Sequence, residues 1–250
     1  MLELKNLSAG YPGNPVFENL SLTFPKGSVT VVAGPNGCGK STLLKAAAGI
    51  LRASGQVFLD GEPLFSLSSR LRARKIAFLP QSRSVPEITV GRLVLHGRFP
   101  NLSYPRQYRP ADYTAAEAAM EALNISHLSH RTLQSLSGGQ RQKAYLAMAL
   151  AQGTSAILLD EPTTFLDIAH QLQLMELARD LAQAGKTVVL VLHDLTLAME
   201  HADALVVMDR GDIVCHGAPE TVYQSGCLKQ VFGIDLGRTQ VDGKWKYYYL

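Results

Sequence analysis

The chain has 250 residues, of which 46% are hydrophobic and 18% are charged, and its formal net charge is +3. This length can bury a sizeable core and fits one α/β domain, or one domain with an inserted lobe, better than two independent domains. The composition excludes disordered and collagen-like classes, and a solvated helix face explains the densest basic run, 70–75, better than nucleic acid does.

Three cysteines, Cys38, Cys215 and Cys227, are odd in number and lack metal-ligand spacing. We therefore expect neither a disulfide framework nor a zinc site, and a reducing compartment. No apolar stretch approaches the roughly 18 residues that span a bilayer, and the N-terminus lacks a charged region followed by an apolar one. If a membrane is involved, another polypeptide is expected to cross it.

The N-terminal part alternates apolar and polar residues over 1–8 and again over 19–24, which predicts an antiparallel sheet ahead of the core. A turn-rich segment, 10–15, separates the two predicted strands and holds Tyr11 in a loop. Tyr11 could stack on a base. The structural alternative is a tyrosine that packs on its own sheet.

The octet 34–41 has the spacing G-x-x-x-x-G-K-S and lies between the apolar run 29–33 and a predicted helix that begins at Thr42. This context is typical of a phosphate loop, although a chance glycine-rich turn is the alternative. Lys40 would reach the outer phosphates and the Ser41 hydroxyl would ligate magnesium. Because such a loop closes on phosphate, the Cys38 thiol is expected to be open to maleimide only without nucleotide, with the nearby helix N-terminus favouring its thiolate.

After this loop, the sequence predicts a helix over 42–48 that ends at Gly49, a hairpin with its first strand over 55–59, and a short buried strand over 76–79. Gln81 follows that strand. From Ser82 to Ser135 the composition shifts to helix formers, interrupted by a loop rich in Pro and Tyr over 100–110. We interpret this region as an inserted helical lobe.

Three strand-like runs, 156–159, 187–192 and 204–208, complete the predicted core and alternate with helices over 167–184 and 195–201. This alternation predicts a parallel sheet. The tail, 233–250, alternates Lys and aromatic residues near its end and is interpreted as a closing strand pair. A role at a membrane surface is the alternative.

Asp160 and Glu161 come at the end of the apolar strand 156–159, where the carboxyl ends of parallel strands face the ligand crevice. Asp160 is suited to hold Mg²⁺, mostly through water, and Glu161 to orient or deprotonate an attacking water. His193 follows the next core strand and adds a third polar group. A structural histidine is its alternative role.

Ser137 and Gln140 have the spacing of a capping box before a helix expected over 141–151. Gly138 and Gly139 would each cost about 1 kcal/mol in a first helical turn, so bare backbone must be needed there. An anion seated on the helix N-terminus explains it. Because the phosphate loop already has its own helix, the second one is best explained by a nucleotide shared with another chain.

Together, these residues resemble the ATP-binding cassette ATPases: the phosphate loop, Gln81, the LSGGQ motif at 136–140, the LLDEP motif at 158–162 and His193 follow in that family's order. The resemblance implies an α/β fold with a P-loop NTPase core and parallel sheet, an antiparallel β subdomain and an inserted helical subdomain at about 82–155, in one ATPase domain over 1–250.

The resemblance also implies a cofactor, ATP with Mg²⁺, and roles for residues that match the family's motifs. Glu161 would be the catalytic base, His193 would contact the γ-phosphate, and Gln81 would contact magnesium and sense the membrane partner. The metal ligands would be Ser41, Gln81 and Asp160. ATP would be held by Tyr11 and by Gly34, Pro35, Asn36, Gly37, Cys38, Gly39, Lys40, Ser41 and Thr42. Ser137, Gly138, Gly139 and Gln140 would clamp the γ-phosphate of ATP bound to the opposite subunit, and Asp167 would link the two sites.

A finer resemblance, to the ATPases of importers for iron–siderophore complexes, haem and cobalamin, depends on the sequences at 97–100, 163–168 and 231–233. It implies a homodimer at the cytoplasmic face of the cell membrane, bound to integral permease subunits and served indirectly by a periplasmic or surface substrate-binding protein, with no nucleic-acid partner. At Asn101 the chain departs from a subgroup pattern that often has His or Tyr. The rival hypothesis is a soluble cassette protein acting on nucleic acid or ribosomes, and a kinase is a third class that has no use for LSGGQ.

Overall fold

The computed structural model describes residues 1–81 and 85–250. Its strands and helices follow one another along the chain as β1 (Leu2–Tyr11), β2 (Asn14–Phe24), β3 (Ser28–Ala33), α1 (Lys40–Ala47), β4 (Ala53–Leu59), β5 (Glu62–Pro63), α2 (Ser69–Ala73), β6 (Ile76–Leu79), α3 (Val90–His96), α4 (Pro110–Glu121), α5 (Gly138–Ala151), β7 (Ala156–Asp160), α6 (Ile168–Gln183), β8 (Thr187–Val191), α7 (Leu195–His201), β9 (Ala204–Asp209), β10 (Asp212–Gly217), α8 (Pro219–Gln224), α9 (Cys227–Phe232), β11 (Leu236–Val241) and β12 (Lys244–Tyr249).

A six-stranded sheet in the order β10-β9-β3-β8-β7-β6 forms the core. Strands β9, β3, β8, β7 and β6 run parallel to one another, and the sixth strand, β10, pairs with β9 antiparallel at one edge. The central strands are apolar and buried almost throughout, as expected for a parallel sheet covered on both faces. The predicted parallel sheet is confirmed. The edge strand β10 was not predicted, because it mixes Asp, Cys and His with only two apolar residues.

An apolar layer covers each face of this sheet, and alternate residues of β3 belong to different layers. Val29 and Val31 pack with α3 to α7 on one face, whereas Val32 packs with β1, β2, β4 and α1 on the other. The carboxyl ends of the parallel strands therefore meet at one edge between the two layers, which brings the loops that follow them together.

A second sheet, antiparallel with the order β2-β1-β4-β5, forms the N-terminal part. Both strands predicted there are confirmed, and they extend further, to Tyr11 and from Asn14, around a short turn. The hairpin between β4 and β5 turns at Asp60 and Gly61, both with positive φ. The predicted strand pair in the tail is also confirmed, as β11 and β12.

Helices α3, α4 and α5 pack against one another and contribute to the apolar layer on one face of the core sheet. An ion pair inside this helical region joins Arg98 Nε to Asp112 Oδ1 at 2.9 Å, and Arg98 Nη1 donates to the Ala151 carbonyl at 2.9 Å. Arg98 thereby ties the segment after α3 to α4 and to the end of α5. Residues 82–84, where the predicted insert begins, lie outside the described residues.

The cysteine expectation is wrong in one respect, because Cys215 and Cys227 are joined by a disulfide. β10 and the start of α9 come together with their Cα atoms 6.6 Å apart, within reach of an S–S bond. The odd cysteine count concealed this pair, since the third cysteine, Cys38, lies in the phosphate loop. None of the helices in the described part of the chain is long and apolar enough to cross a membrane.

Candidate nucleotide site

The loop between β3 and α1, residues 34–39, turns tightly because it contains three glycines. Gly37 and Gly39 have φ of 79° and 110°, left-handed angles that L side chains rarely adopt. At Gly34 a Cβ would lie 2.3 Å from the Met208 carbonyl oxygen, so no larger residue fits against β9. Bare backbone N–H groups at a helix N-terminus are suited to phosphate oxygens.

The Lys40 side chain lies inside this loop and is only 5% exposed. Its ammonium donates to the carbonyls of Gly34 at 2.7 Å and Pro35 at 2.8 Å. The loop backbone thus holds a positive charge at the start of α1, where an anion would be bound.

Cys38 is buried, which contradicts the expected accessible and acidic thiol. Its side chain is 4% exposed and lies 3.9 Å from Lys40 Nζ. Burial raises the pKa of the Cys38 thiol, and this effect exceeds the opposing influence of the Lys40 charge. The sequence analysis considered the helix N-terminus and overlooked that Cys38 points into the apolar layer that contains β1, β2 and α1.

Asp160, the last residue of β7, accepts a hydrogen bond from Ser41 Oγ at 2.9 Å through its Oδ1. Asp160 is 1% exposed, and its Oδ2 has no hydrogen-bond partner among the described residues. Burial raises the pKa of this carboxyl, against the hydrogen bond from Ser41. A buried, unpaired carboxylate oxygen next to a hydroxyl fits Mg²⁺, which takes one or two carboxylates and completes its shell with water and phosphate.

Glu161 lies where the ends of three neighbouring strands meet, and it has a left-handed φ of 51°. His193 Nε2, after β8, lies 2.7 Å from its Oε1, and Gln81 Nε2, after β6, donates to its Oε2 at 2.6 Å. Both carboxylate oxygens therefore have a partner. The structure brings together the three residues that the resemblance assigns to catalysis.

The signature residues lie elsewhere. Ser137 caps α5, with its Oγ accepting from the Gln140 N–H at 3.2 Å and Gln140 Oε1 accepting from the Ser137 N–H at 3.2 Å. The predicted capping box is confirmed, but α5 begins at Gly138, three residues before the predicted start. Residues 137–140 and Asp167 line a groove of about 750 Å³ whose walls include no residue of the phosphate loop.

Tyr11 ends β1 and is 47% exposed, in the wall of a different groove formed by residues 8–11, 13–15, 17–19 and 52–54. Its aromatic ring is accessible. The prediction that Tyr11 lies in a loop is wrong, because Tyr11 is the last residue of β1 and pairs with Asn14 of β2, and only the two residues between them form the turn.

Comparison with known proteins decides the family. The family profile described as "ABC transporter" matches residues 17–164. The chain belongs to the ABC transporter family. The resemblance inferred from its motifs is thereby confirmed.

Among relatives of this ABC protein, the achromobactin transport ATP-binding protein of Dickeya dadantii is 43% identical over 92% of this chain and 87% of its own. The ferric enterobactin transport ATP-binding protein of Escherichia coli is 42% identical over 92% and 86%. The hemin import ATP-binding protein of Myxococcus xanthus is 44% identical over 86% and 83%.

Solved structures share the fold. A protein described as a metal-chelate type ABC transporter, in an inward-facing conformation, matches with a TM-score of 0.84 and 31% identity over 100% of this chain and 96% of its own. A dimeric bacterial ABC transporter cassette matches with a TM-score of 0.77 and 26% identity over 88% and 99%. The predicted α/β fold with a parallel sheet is confirmed.

Two features of this ABC protein were not found from the sequence. Phe165, before α6, is 77% exposed and has a φ of 68°. Its side chain lies over Gly138, and a Cβ added to Gly138 would be 3.2 Å from the Cβ of Phe165. Through its hydroxyl, Tyr249 accepts the N–H of Leu195, two residues after His193 in the chain, at 3.1 Å. No local pattern marks either contact, because each joins residues far apart in the chain.

Proposed function

We propose that this chain is the ATP-hydrolysing subunit of an importer for ferric siderophores or a related metal chelate such as haem or cobalamin. The family is that of ABC transporters, and relatives above 40% identity transport achromobactin, ferric enterobactin and hemin according to their names. The observation that carries the enzymatic part is the Glu161 carboxylate, held between Gln81 and His193 beside the phosphate loop.

In this proposal the loop N–H groups and Lys40 bind the phosphates of ATP, while Tyr11 stacks on the adenine. Ser41, Asp160 and Gln81 hold Mg²⁺, which neutralises phosphate charge when bound. The buried, unpaired Oδ2 of Asp160 supports that assignment, because a second charged partner would offset the cost of its burial.

Glu161 is proposed to orient and deprotonate the attacking water. Its carboxylate has a fixed direction, since β7 places it and two side chains from neighbouring strands bind its oxygens. His193 would leave Glu161 for the γ-phosphate when ATP binds, and so free one carboxylate oxygen to accept a proton from water.

Each ATP site is proposed to be shared by two copies of the chain. Ser137 to Gln140 present the N-terminus of α5, with two glycines, in a groove that contains no residue of the phosphate loop. A phosphate bound by Lys40 of one copy would meet this helix end of the other, and Asp167, in the same groove, would link the two sites. The dimeric cassette with the same fold supports this arrangement.

The membrane partner is proposed to be a separate permease at the cytoplasmic face, served indirectly by a substrate-binding protein. Gln81 touches Glu161 and also lines a groove of about 570 Å³ with Arg141, Tyr145 and Phe165. A permease segment in this groove would contact the residue that holds the catalytic carboxylate. The whole chain, 1–250, is proposed to act as one ATPase domain, with its helical subdomain at about 82–155. The rival role on nucleic acid or ribosomes is not favoured, because the relatives belong to import systems.

Glu161→Gln tests the enzymatic proposal. The amide keeps the shape of Glu161 and one of its two acceptor oxygens but cannot accept a proton, so turnover should fall by about 10²- to 10⁴-fold while ATP binding is retained. Glu117→Gln, in α4, is the matched control and should hydrolyse ATP like the wild type. If Glu161→Gln turns over ATP at the wild-type rate, Glu161 is not the base.

A further inference from the structure

The C-terminal hairpin, β11 and β12, lies along α7, the helix that directly follows His193. Near the end of that helix, Glu200 forms an ion pair with Lys246 and accepts the Tyr247 N–H at 3.2 Å. Near its start, Tyr249 reaches Asp194 and Leu195. β12 therefore contacts both ends of α7.

The first turn of α7 has three N–H groups that the helix itself cannot bind. Asp194, the N-cap, accepts two of them through Oδ1, from Thr196 at 2.9 Å and Leu197 at 3.1 Å. The remaining one, of Leu195, donates to Tyr249 Oη at 3.1 Å. The tyrosine hydroxyl also lies 3.4 Å from Asp194 Oδ1, to which it donates. The cap of α7 thus consists of one residue of the helix and one from the tail.

This cap bears on the catalytic carboxylate. His193 is the residue before the N-cap, so the direction of the first turn of α7 sets where its imidazole can lie. Its Nε2 lies 2.7 Å from Glu161 Oε1. His193 itself is about half exposed, so the direction of its ring depends in part on the backbone on either side of it.

We propose that Tyr249 is a positioning residue for ATP hydrolysis, which holds the start of α7 and thereby places His193 against Glu161. The inference rests on the role proposed for His193 in hydrolysis. It gives the C-terminal hairpin a function in the site: the hairpin braces the polypeptide that carries the histidine.

Tyr249→Phe tests this, because it removes only the hydroxyl and keeps the ring. Tyr248→Phe is the matched control, since neighbouring strand residues point to opposite faces. In the full chain without nucleotide, the ¹⁵N resonances of the His193 ring, assigned by their loss in His193→Gln, should move in Tyr249→Phe and stay in place in Tyr248→Phe. Unmoved resonances in Tyr249→Phe would overturn the proposal, whether or not the chain hydrolyses ATP.

Kinetics give the second readout. Tyr249→Phe should lower kcat by about two- to tenfold, the effect of losing one hydrogen bond, with the KM for ATP unchanged and the melting temperature lowered by no more than about 2 to 4 °C. If Tyr249 acts through His193, adding Tyr249→Phe to His193→Gln should cause no further loss. A loss that multiplies in the double variant would show that Tyr249 acts by another route. If the wild type itself lacks ATPase activity, the proposed function fails, and the resonances alone decide the role of Tyr249.

Discussion

Asp160→Asn should make the chain more stable without metal and should abolish the stabilisation that Mg²⁺ adds to bound ATP. The carboxylate is 1% exposed, with Oδ2 unpaired among the described residues and Glu161 as its neighbour. Burial and the Glu161 charge both act to raise the pKa of Asp160, so its ionised form is unfavourable in the folded chain.

The size of the effect follows from what the amide changes. An unpaired buried polar group costs about 1 to 3 kcal/mol, and more when charged. Asparagine keeps an oxygen for the Ser41 hydroxyl but leaves its own amide group unpaired, so only the charge contribution is removed. We expect a gain of about 1 kcal/mol, which raises the melting temperature of a chain of this length by about 2 to 4 °C.

Thermal unfolding in EDTA, in EDTA with ATP, and in Mg²⁺ with ATP measures both effects. Asp160→Asn should have a higher melting temperature than the wild type in EDTA. The rise in melting temperature from EDTA with ATP to Mg²⁺ with ATP should be lost in this variant. Glu117→Gln is the control, because this exposed carboxylate on α4 is in water in the folded chain and no gain is expected from removing its charge. A lower melting temperature for Asp160→Asn in EDTA, or an equal rise in Glu117→Gln, would refute the argument from burial.

Two further predictions concern the shared site and the helical region. Lys40→Ala and Ser137→Arg should each be inactive alone, and mixing them should restore hydrolysis. About half the dimers are then mixed and each has one sound site, so about a quarter of all sites are sound if they act independently. If neither activity nor ATP-dependent association recovers on mixing, the shared site is contradicted. The Arg109 N–H and the Arg98 guanidinium lower the pKa of Asp112, which therefore stabilises the fold above the unfolded pKa of about 4, with that stability lost as pH falls through the folded pKa. Denaturant unfolding from pH 6 to 3 should show a shallower loss for Asp112→Asn, and an unchanged slope would contradict this.

Much of the fold was predictable because its strands are short apolar runs bounded by turns. The strand over 76–79 and the helix over 195–201 agree residue for residue with β6 and α7. The start of α5 was placed too late, since Gly138 and Gly139 have poor helix propensity and only the capping contacts of Ser137 compensate for it.

Parts of the candidate site were predictable for a different reason: a motif fixes its own local backbone. The phosphate loop, Asp160, Glu161 and the Ser137 cap are local patterns. The burial of Cys38 and the disulfide of Cys215 depend on which strands become neighbours, which the spacing of cysteines does not reveal. The contact of the Tyr249 hydroxyl with α7 could not be predicted for the same reason, because it forms only after the tail has folded back.

The strand order also determines when the phosphate loop can take shape during synthesis. β3 is made early, yet its two neighbours in the sheet are β8 and β9, with Val31 opposite Leu190 on one side and Leu205 on the other. Gly34 packs against the carbonyl of Met208, at the end of β9. The nascent chain therefore carries an apolar strand without sheet partners until β8 has left the ribosome, and a nucleotide loop without the support of Met208 until β9 has left it. Long-range parallel pairing of this kind folds slowly and exposes apolar surface meanwhile. The first motif to be translated is among the last to become able to bind.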